Sequence, residues 1–398
     1  MSERAEQTVV VSGAAQSQIG RRLMRGELEL TLEACLAAID DAGLSRDEID
    51  GLASYPGKMG SPAGFSGPGT PTVQDSLRLQ LNWHRAGPEG AAQYAPIIDA
   101  VAAVAAGYAR HVLVYRTVTE ASAQKGGRSG IGLDGGGSGV PRMDGELGQM
   151  LPFGAFSASN WVAWHCQRYM HEYRLSREQL AQISLNARRN AALNDQAIYR
   201  DALTLEDYLS ARMISTPLCL LDCDVPADGA TAFVISAADY ASEMKQPVIR
   251  FEAVGSALHD RPSWFQRGDL TSMAATDAAR HLWSRTSLKP QDVDIAQLYD
   301  GFSWLTVMWL EALGFCEKGG AGAFIEGGEK IARDGVLPLN TGGGQLSGGR
   351  LHGFGLLYEA VLQLRGQAGK RQVGSDPRVA IAAAGGGPLA GAVLLARQ

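Results

Sequence analysis

Residues 34–55 read A-C-L-A-A-I-D-D-A-G-L-S-R-D-E-I-D-G-L-A-S-Y, and residues 278–299 read A-A-R-H-L-W-S-R-T-S-L-K-P-Q-D-V-D-I-A-Q-L-Y. At one constant offset, Leu44 matches Leu288, Asp50 matches Asp294 and Tyr55 matches Tyr299. Each stretch has the pattern of an amphipathic helix, a polar turn and a strand entering a core. Two further pairs follow in the same order. Ala92–Gly107 is a small-residue helix leading to the apolar strand His111–Tyr115. Gly353–Gly366 has a similar helical pattern, with Glu359-Ala360-Val361 standing where Asp99-Ala100-Val101 stands. D-G-A-T-A-F-V-I-S (228–236) and G-P-L-A-G-A-V-L-L (387–395) both read as glycine-led turns into buried strands. Three pairs in one order predict a duplicated α/β chain. The first half spans 1–118 and is completed by 219–243; the second spans 244–398.

The first half is the longer, and its excess falls in 119–218. It opens with G-G-R-S-G-I-G-L-D-G-G-G-S-G (126–139) and continues with helical patterns at Phe156–Tyr173 and Arg177–Leu193. Connections of this length carry function or structure of their own. The expectation is an inserted cap over an active site. The glycine run does not match a phosphate loop, because no G-x-x-x-x-G-K-[ST] pattern is present. It reads as a lid or a partner-contact loop. Lys125, Arg128, Arg188 and Arg189 are candidate contacts for nucleotide phosphates, weighed against ordinary solvated bases.

Apolar residues make up 45% of the chain and charged residues 20%, so a sizeable core forms and wholesale disorder is excluded. A net charge of -6 argues against a general nucleic-acid binder. The 49 glycines exceed the usual ~7% share and point to tight turns or backbone packed close to a ligand. Five cysteines, with no CxxC pair, fit neither a disulfide framework nor a structural zinc site. For Cys219 and Cys223 a metal role is weak, since no clustered ligands complete a set. The first residues lack a signal peptide's apolar stretch, and no apolar run is long enough to span a membrane. A soluble cytoplasmic protein is expected.

Four motifs carry a family resemblance. They are residues 190–236, from N-A-A-L-N-D-Q-A to F-V-I-S; L-Y-D-G-F (298–302); L-E-A-L-G-F-C-E-K-G (310–319); and L-N-T-G-G-G-Q-L-S-G-G-R-L-H-G (339–353) followed by E-A-V-L-Q-L-R-G. Together they resemble the thiolase superfamily over nearly the whole chain, in its sterol-carrier-protein-X and lipid-transfer-protein branch. The resemblance implies an α/β fold, a duplicated αβαβα five-layer sandwich with the inserted cap. It also implies a homodimer acting on acyl-CoA thioesters, with coenzyme A as part of the substrate and no permanently bound cofactor or metal.

The thiolase nucleophile is missing. Its place falls near Gly90, and no Cys, Ser or Thr lies between Glu89 and Ile98. Arg350 stands at the thiolase histidine, and Ala383 at the second cysteine. Cysteine-free relatives include steroid side-chain aldolases that work with a small OB-fold, zinc-ribbon-type partner. The resemblance therefore implies retro-aldol cleavage of a bulky β-hydroxyacyl-CoA to an aldehyde or ketone plus a shorter acyl-CoA. Two rivals stay open: an acyltransferase with an unrecognised nucleophile, and a catalytically silent CoA- or lipid-binding subunit.

Candidate catalytic residues are Tyr299, His352, Arg350 and Asp300. Gly385, Gly386, Gly387, Asn340 and Tyr94 are candidates for oxyanion or substrate binding. Tyr299, with an ordinary pKa near ~10, acts as a base if a guanidinium lowers it. Backbone N–H groups of the glycine run can hold a thioester enolate. The family's second active-site tyrosine has no counterpart between Ser347 and His352, which leaves Arg350, His352 or Tyr94 to replace it. The structural alternatives are also specific. Asp300 can cap a helix starting near Phe302, Arg350 can pair with a carboxylate, and Asn340 can shape its loop.

Overall fold

The computed structural model describes residues 4–55, 63–87, 90–124 and 145–398. Nine strands form one sheet: β1 Val9–Gln16, β2 Gly51–Ser54, β3 Trp83–Ala86, β4 His111–Thr119, β5 Asp228–Ala237, β6 Ile249–Gly255, β7 Ile295–Gln297, β8 Val379–Gly385 and β9 Ala390–Arg397. Their spatial order is β3-β2-β4-β5-β1-β6-β9-β8-β7. The helices used below are α1 Glu27–Ala42, α2 Ala95–Ala105, α3 Ala158–Tyr173, α4 Arg177–Ala191, α5 Ala274–Trp283, α6 Ser303–Ala312 and α7 Phe354–Arg365.

The duplication is visible in the sheet. The run β2-β4-β5-β1 in the first half has the same pairing as β7-β8-β9-β6 in the second: one parallel pair, then two antiparallel ones. The quoted repeat is α1, turn and β2 in one copy, and α5, turn and β7 in the other. Asp50 and Asp294 do the same work. Asp50 accepts from the backbone N–H groups of Arg110 and His111 at 2.8–3.0 Å. Asp294 accepts from those of Arg378 and Val379 at 2.8 and 2.9 Å. Each carboxylate thereby fixes the start of the neighbouring parallel strand. The two half-sheets join edge to edge through a short antiparallel contact, Val10 with Arg250 and Val11 with Ile249.

Strand alternation sets the layers, because successive side chains leave opposite faces. Val112, Val114, Phe233 and Ile235 share a core with Ile97 and Val101 of α2 and with Phe354 and Leu357 of α7. Their neighbours Leu113, Tyr115 and Val234 share another with Leu30, Ala34, Ala38 and Ile39 of α1. Helix α1 therefore covers one face, while α2 and α7 lie together on the other. The heads of α2 and α7 meet, with the Tyr94 hydroxyl donating to the Gly353 carbonyl at 3.0 Å. Strand β5, which follows the inserted stretch, lies between β4 and β1. Of the inserted stretch, α3 and α4 pack against α6, and α4 also packs against the 344–348 turn. The glycine run 126–139 lies outside the described residues.

Each half uses one glycine to bring its first helix against its first strand. A Cβ on Gly13 would sit 2.1 Å from the Ala38 carbonyl oxygen, and one on Gly255 would sit 2.2 Å from that of Ala278. Gly13→Ala and Gly255→Ala are each expected to cost about 1–3 kcal/mol through overpacking, read as a lower midpoint in thermal unfolding. Two unchanged midpoints would contradict this close approach.

Candidate active site

The parallel pairs β2–β4 and β7–β8 point their carboxyl ends to one region, the usual place for ligands in such sheets. From β4 come Arg116 and, just past its end, Glu120. From just beyond β7 come Tyr299 and Asp300. The loop 340–353 and the 385–387 turn close the region, and Tyr94 enters from the head of α2.

Arg350 sits at the centre. Its Nε and Nη2 each lie 2.9 Å from a Glu120 carboxylate oxygen, and its Nη1 lies 3.0 Å from Asp224. The pairing with carboxylates seen as the structural alternative for Arg350 is what the fold builds. Despite burial, which lowers it, the Arg350 pKa is raised by Asp224 and Glu120. Burial would push Glu120 up, but His352, Arg350 and Arg116 outweigh it and hold its carboxyl at about 2. His352 Nε2 lies 3.0 Å from the same carboxylate. Burial, then Arg116, brings its pKa down to about 4 against the pull of Glu120. At neutral pH this imidazole is uncharged.

Tyr299 is buried and faces Asp224, Arg350, Gln345 and Arg116. The expected lowering of its pKa does not occur. Burial and the Asp224 carboxylate raise it, and Arg350, Gln345 and Arg116 only partly offset them. Burial thus favours the phenol form of Tyr299 over the phenolate. Tyr94 is fully buried and acts electrostatically with Tyr299, so the structure brings it to the same place. Arg116, also buried, stacks over Tyr55 and Phe65 at 5.1 and 5.0 Å. It donates to the carbonyls of Tyr55 and Phe65. Among the described residues no carboxylate lies within ion-pair distance of it.

Other candidates serve the scaffold. Asp300 does not cap α6, whose N-cap is Phe302. It accepts instead from the Gln345 and Leu346 N–H groups at 2.8 and 3.4 Å. Gly344 makes room for it, since a Cβ there would lie 1.9 Å from Asp300. Asn340 clamps Leu298, accepting from its N–H at 2.8 Å and donating to its carbonyl at 2.9 Å. The N–H of Gly386 is spent on the Leu389 carbonyl at 3.0 Å and is not free for an oxyanion. The Gly385 carbonyl accepts from Trp309 at 3.1 Å, and Gly387 lies under Trp264. Arg188 donates to the Ser347 hydroxyl at 3.0 Å and braces the 340–353 loop. Lys125 and Arg128 lie outside the described residues.

At the head of α2 the strained residue is Ala92, with φ of 49°. A Cβ on Gly385 would sit 2.5 Å from the Ala92 methyl. Cys223 turns its thiol to the Cys219 carbonyl at 3.5 Å. Among the described residues no group of three His, Cys, Asp or Glu side chains converges for a metal.

Glu120, Asp224, Arg116 and Gln345 escaped the sequence reading. A faint signal existed for Arg116, a charge inside the apolar strand H-V-L-V-Y-R-T-V-T. Nothing local marks Glu120 or Asp224, whose partner Arg350 is far along the chain.

The comparisons agree with this geometry. Residues 256–396 match the family described as thiolase C-terminal domain-like. The chain is 34% identical to a steroid side-chain-cleaving aldolase of Thermomonospora curvata, over 96% of this chain and 97% of that one. It is 33% identical to a 17-hydroxy-3-oxo-4-pregnene-20-carboxyl-CoA lyase of Mycobacterium tuberculosis, over 96% and 98%. A solved Ltp2-ChsH2(DUF35) aldolase superposes with a TM-score of 0.85 at 31% identity, covering 99% of both chains. The fold is that of thiolases. The chain belongs to the thiolase superfamily, in the sterol-carrier-protein-like branch that includes these aldolases.

Asp300 gives a titration to follow. Burial raises its carboxyl to about 7, against the loop N–H groups that lower it. A folded-state value above the unfolded ~3.9 gives stability that is full below that value and lost as pH rises through about 7. Between pH 5 and 8, the thermal midpoint of Asp300→Asn is expected to gain on the wild type. A difference that stays constant with pH would mean that Asp300 does not titrate there.

Proposed function

We propose that this chain is a lyase that cleaves a bulky β-hydroxyacyl-CoA by a retro-aldol reaction, giving a ketone or aldehyde and a shorter acyl-CoA. The carrying observation is that the head of α2 holds no Cys, Ser or Thr between Glu89 and Ile98 to take an acyl group, in a chain 34% identical to a steroid side-chain-cleaving aldolase. Retro-aldol cleavage needs no such nucleophile. The β-hydroxyl loses its proton, the Cα–Cβ bond breaks, and the thioester takes the electron pair as an enolate. The thioester itself is the electron sink, so coenzyme A enters as part of the substrate and no resident cofactor is invoked.

Tyr299, held as a phenol, protonates the enolate at Cα. The buried Arg116 and Arg350 guanidiniums supply positive potential where negative charge develops, a contribution that grows as water is excluded. Burial raises the pKa of Cys35, Cys166, Cys219 and Cys316, which weakens these thiols as competing nucleophiles. The proposal includes a homodimer in the cytoplasm and a DUF35-type partner of the small OB-fold, zinc-ribbon kind. Support for that partner is the solved relative, an Ltp2-ChsH2(DUF35) aldolase.

The first probe is 17-hydroxy-3-oxo-4-pregnene-20-carboxyl-CoA, the thioester in the relative's name. The chain, alone or reconstituted with a DUF35-type partner, is expected to release a steroid ketone and propanoyl-CoA. A bulky thioester left intact in both preparations, or an acyl-enzyme trapped by mass spectrometry, would end the lyase reading. Tyr299→Phe is expected to lower kcat on the order of 10²–10⁴-fold with an unchanged circular dichroism spectrum. Retained turnover would remove Tyr299 from the chemistry.

A further inference from the structure

With Tyr299 a phenol that supplies the proton for Cα, the β-hydroxyl proton needs a separate acceptor. We infer that Glu120 and His352 form the general base, with Nδ1 of His352 taking that proton and Glu120 holding the ring. The inference rests on the lyase reading above.

The geometry dictates the tautomer. Glu120 accepts from Arg350 through both oxygens, so it is an ionised acceptor. His352 Nε2, 3.0 Å away, must therefore carry a hydrogen and donate it. In a neutral ring the lone pair then falls on Nδ1. That atom is buried and has no hydrogen-bond partner among the described residues. Buried polar atoms are nearly always paired, and an exception calls for an explanation. The backbone adds a second sign. His352 has φ of 48°, a conformation side-chain-bearing residues avoid, and such strain gathers at functional sites. Phe65 closes on the ring edge-on, with centroids 4.6 Å apart, and helps fix its plane. A nitrogen base oriented by a carboxylate through its other nitrogen is the arrangement that general-base catalysis reuses on unrelated folds.

The proton count closes. The O–H proton passes to Nδ1, the Cβ–O bond becomes a carbonyl, and the Cα–Cβ electron pair moves into the enolate. Tyr299 gives its proton to Cα. After the products leave, His352 releases one proton to solvent and Tyr299 regains one. Glu120 is a positioning residue: it touches the ring and not the reacting atoms.

The test uses the full chain in its active form, with partner if activity needs it, and the same pregnene thioester. His352→Gly suits the positive φ. It is expected to lose about 10²–10⁴-fold in kcat and to recover at least about tenfold with added imidazole. Glu120→Gln is expected to lower kcat on the order of 100-fold or more, with KM within about threefold. His352→Gly should keep the wild-type circular dichroism spectrum and a KM within about threefold, which shows that the variant is folded. Near-wild-type cleavage by either variant overturns the dyad. So does a cleavage defect in the folded His352→Gly variant that imidazole leaves unchanged. Absence of cleavage by the wild type would instead strike the lyase reading.

Discussion

One buried guanidinium ties the two halves of this protein together. Arg350 comes from the second half. It is gripped by Glu120 at the end of β4 and by Asp224 just before β5. Removing one partner of such a buried pair typically costs about 3–5 kcal/mol, because the remaining charge is left without compensation. The position of the 340–353 loop, and with it Gln345 and His352, depends on this ion cluster. The same cluster keeps Glu120 ionised, and so sets which nitrogen of His352 carries the hydrogen.

The duplication explains why the site lies where it does. Two equivalent parallel strand pairs end side by side, and the helices that follow point their heads at each other. The copies then diverged. Tyr299 stands in the second copy and Tyr55 at the matching place in the first, beneath the Arg116 guanidinium. Asp50 and Asp294 kept one structural role, binding the start of the next strand. Glycines 13 and 255 kept another, admitting a helix against a strand. The chemistry was thus built from positions the repeat left free, while those that hold the repeat together changed little.

Much of the site was legible in the chain. Tyr299, Arg350, His352 and Tyr94 were singled out, and the fold brings them to one region. Asp300, Asn340 and the 385–387 turn were singled out too, and the hydrogen bonds they make shape the loops. Arg116, Glu120 and Asp224 went unseen. Glu120 and Asp224 take their roles from contacts with Arg350 across the two halves, which no local pattern marks, and Arg116 showed only as a charge inside an apolar strand. The direction of the Tyr299 shift was also misjudged: proximity to arginine was foreseen, and burial together with the Asp224 carboxylate was not.

The sequence by itself determined the duplicated α/β plan, the order of its elements and the absence of a nucleophile. Those follow from periodicity and residue identity, which are local properties of the chain. Tertiary structure alone decided which charges meet, which hydroxyl stays protonated and which nitrogen is left bare. Those depend on distance and on exclusion of water, and both are set only when segments remote in sequence pack against one another.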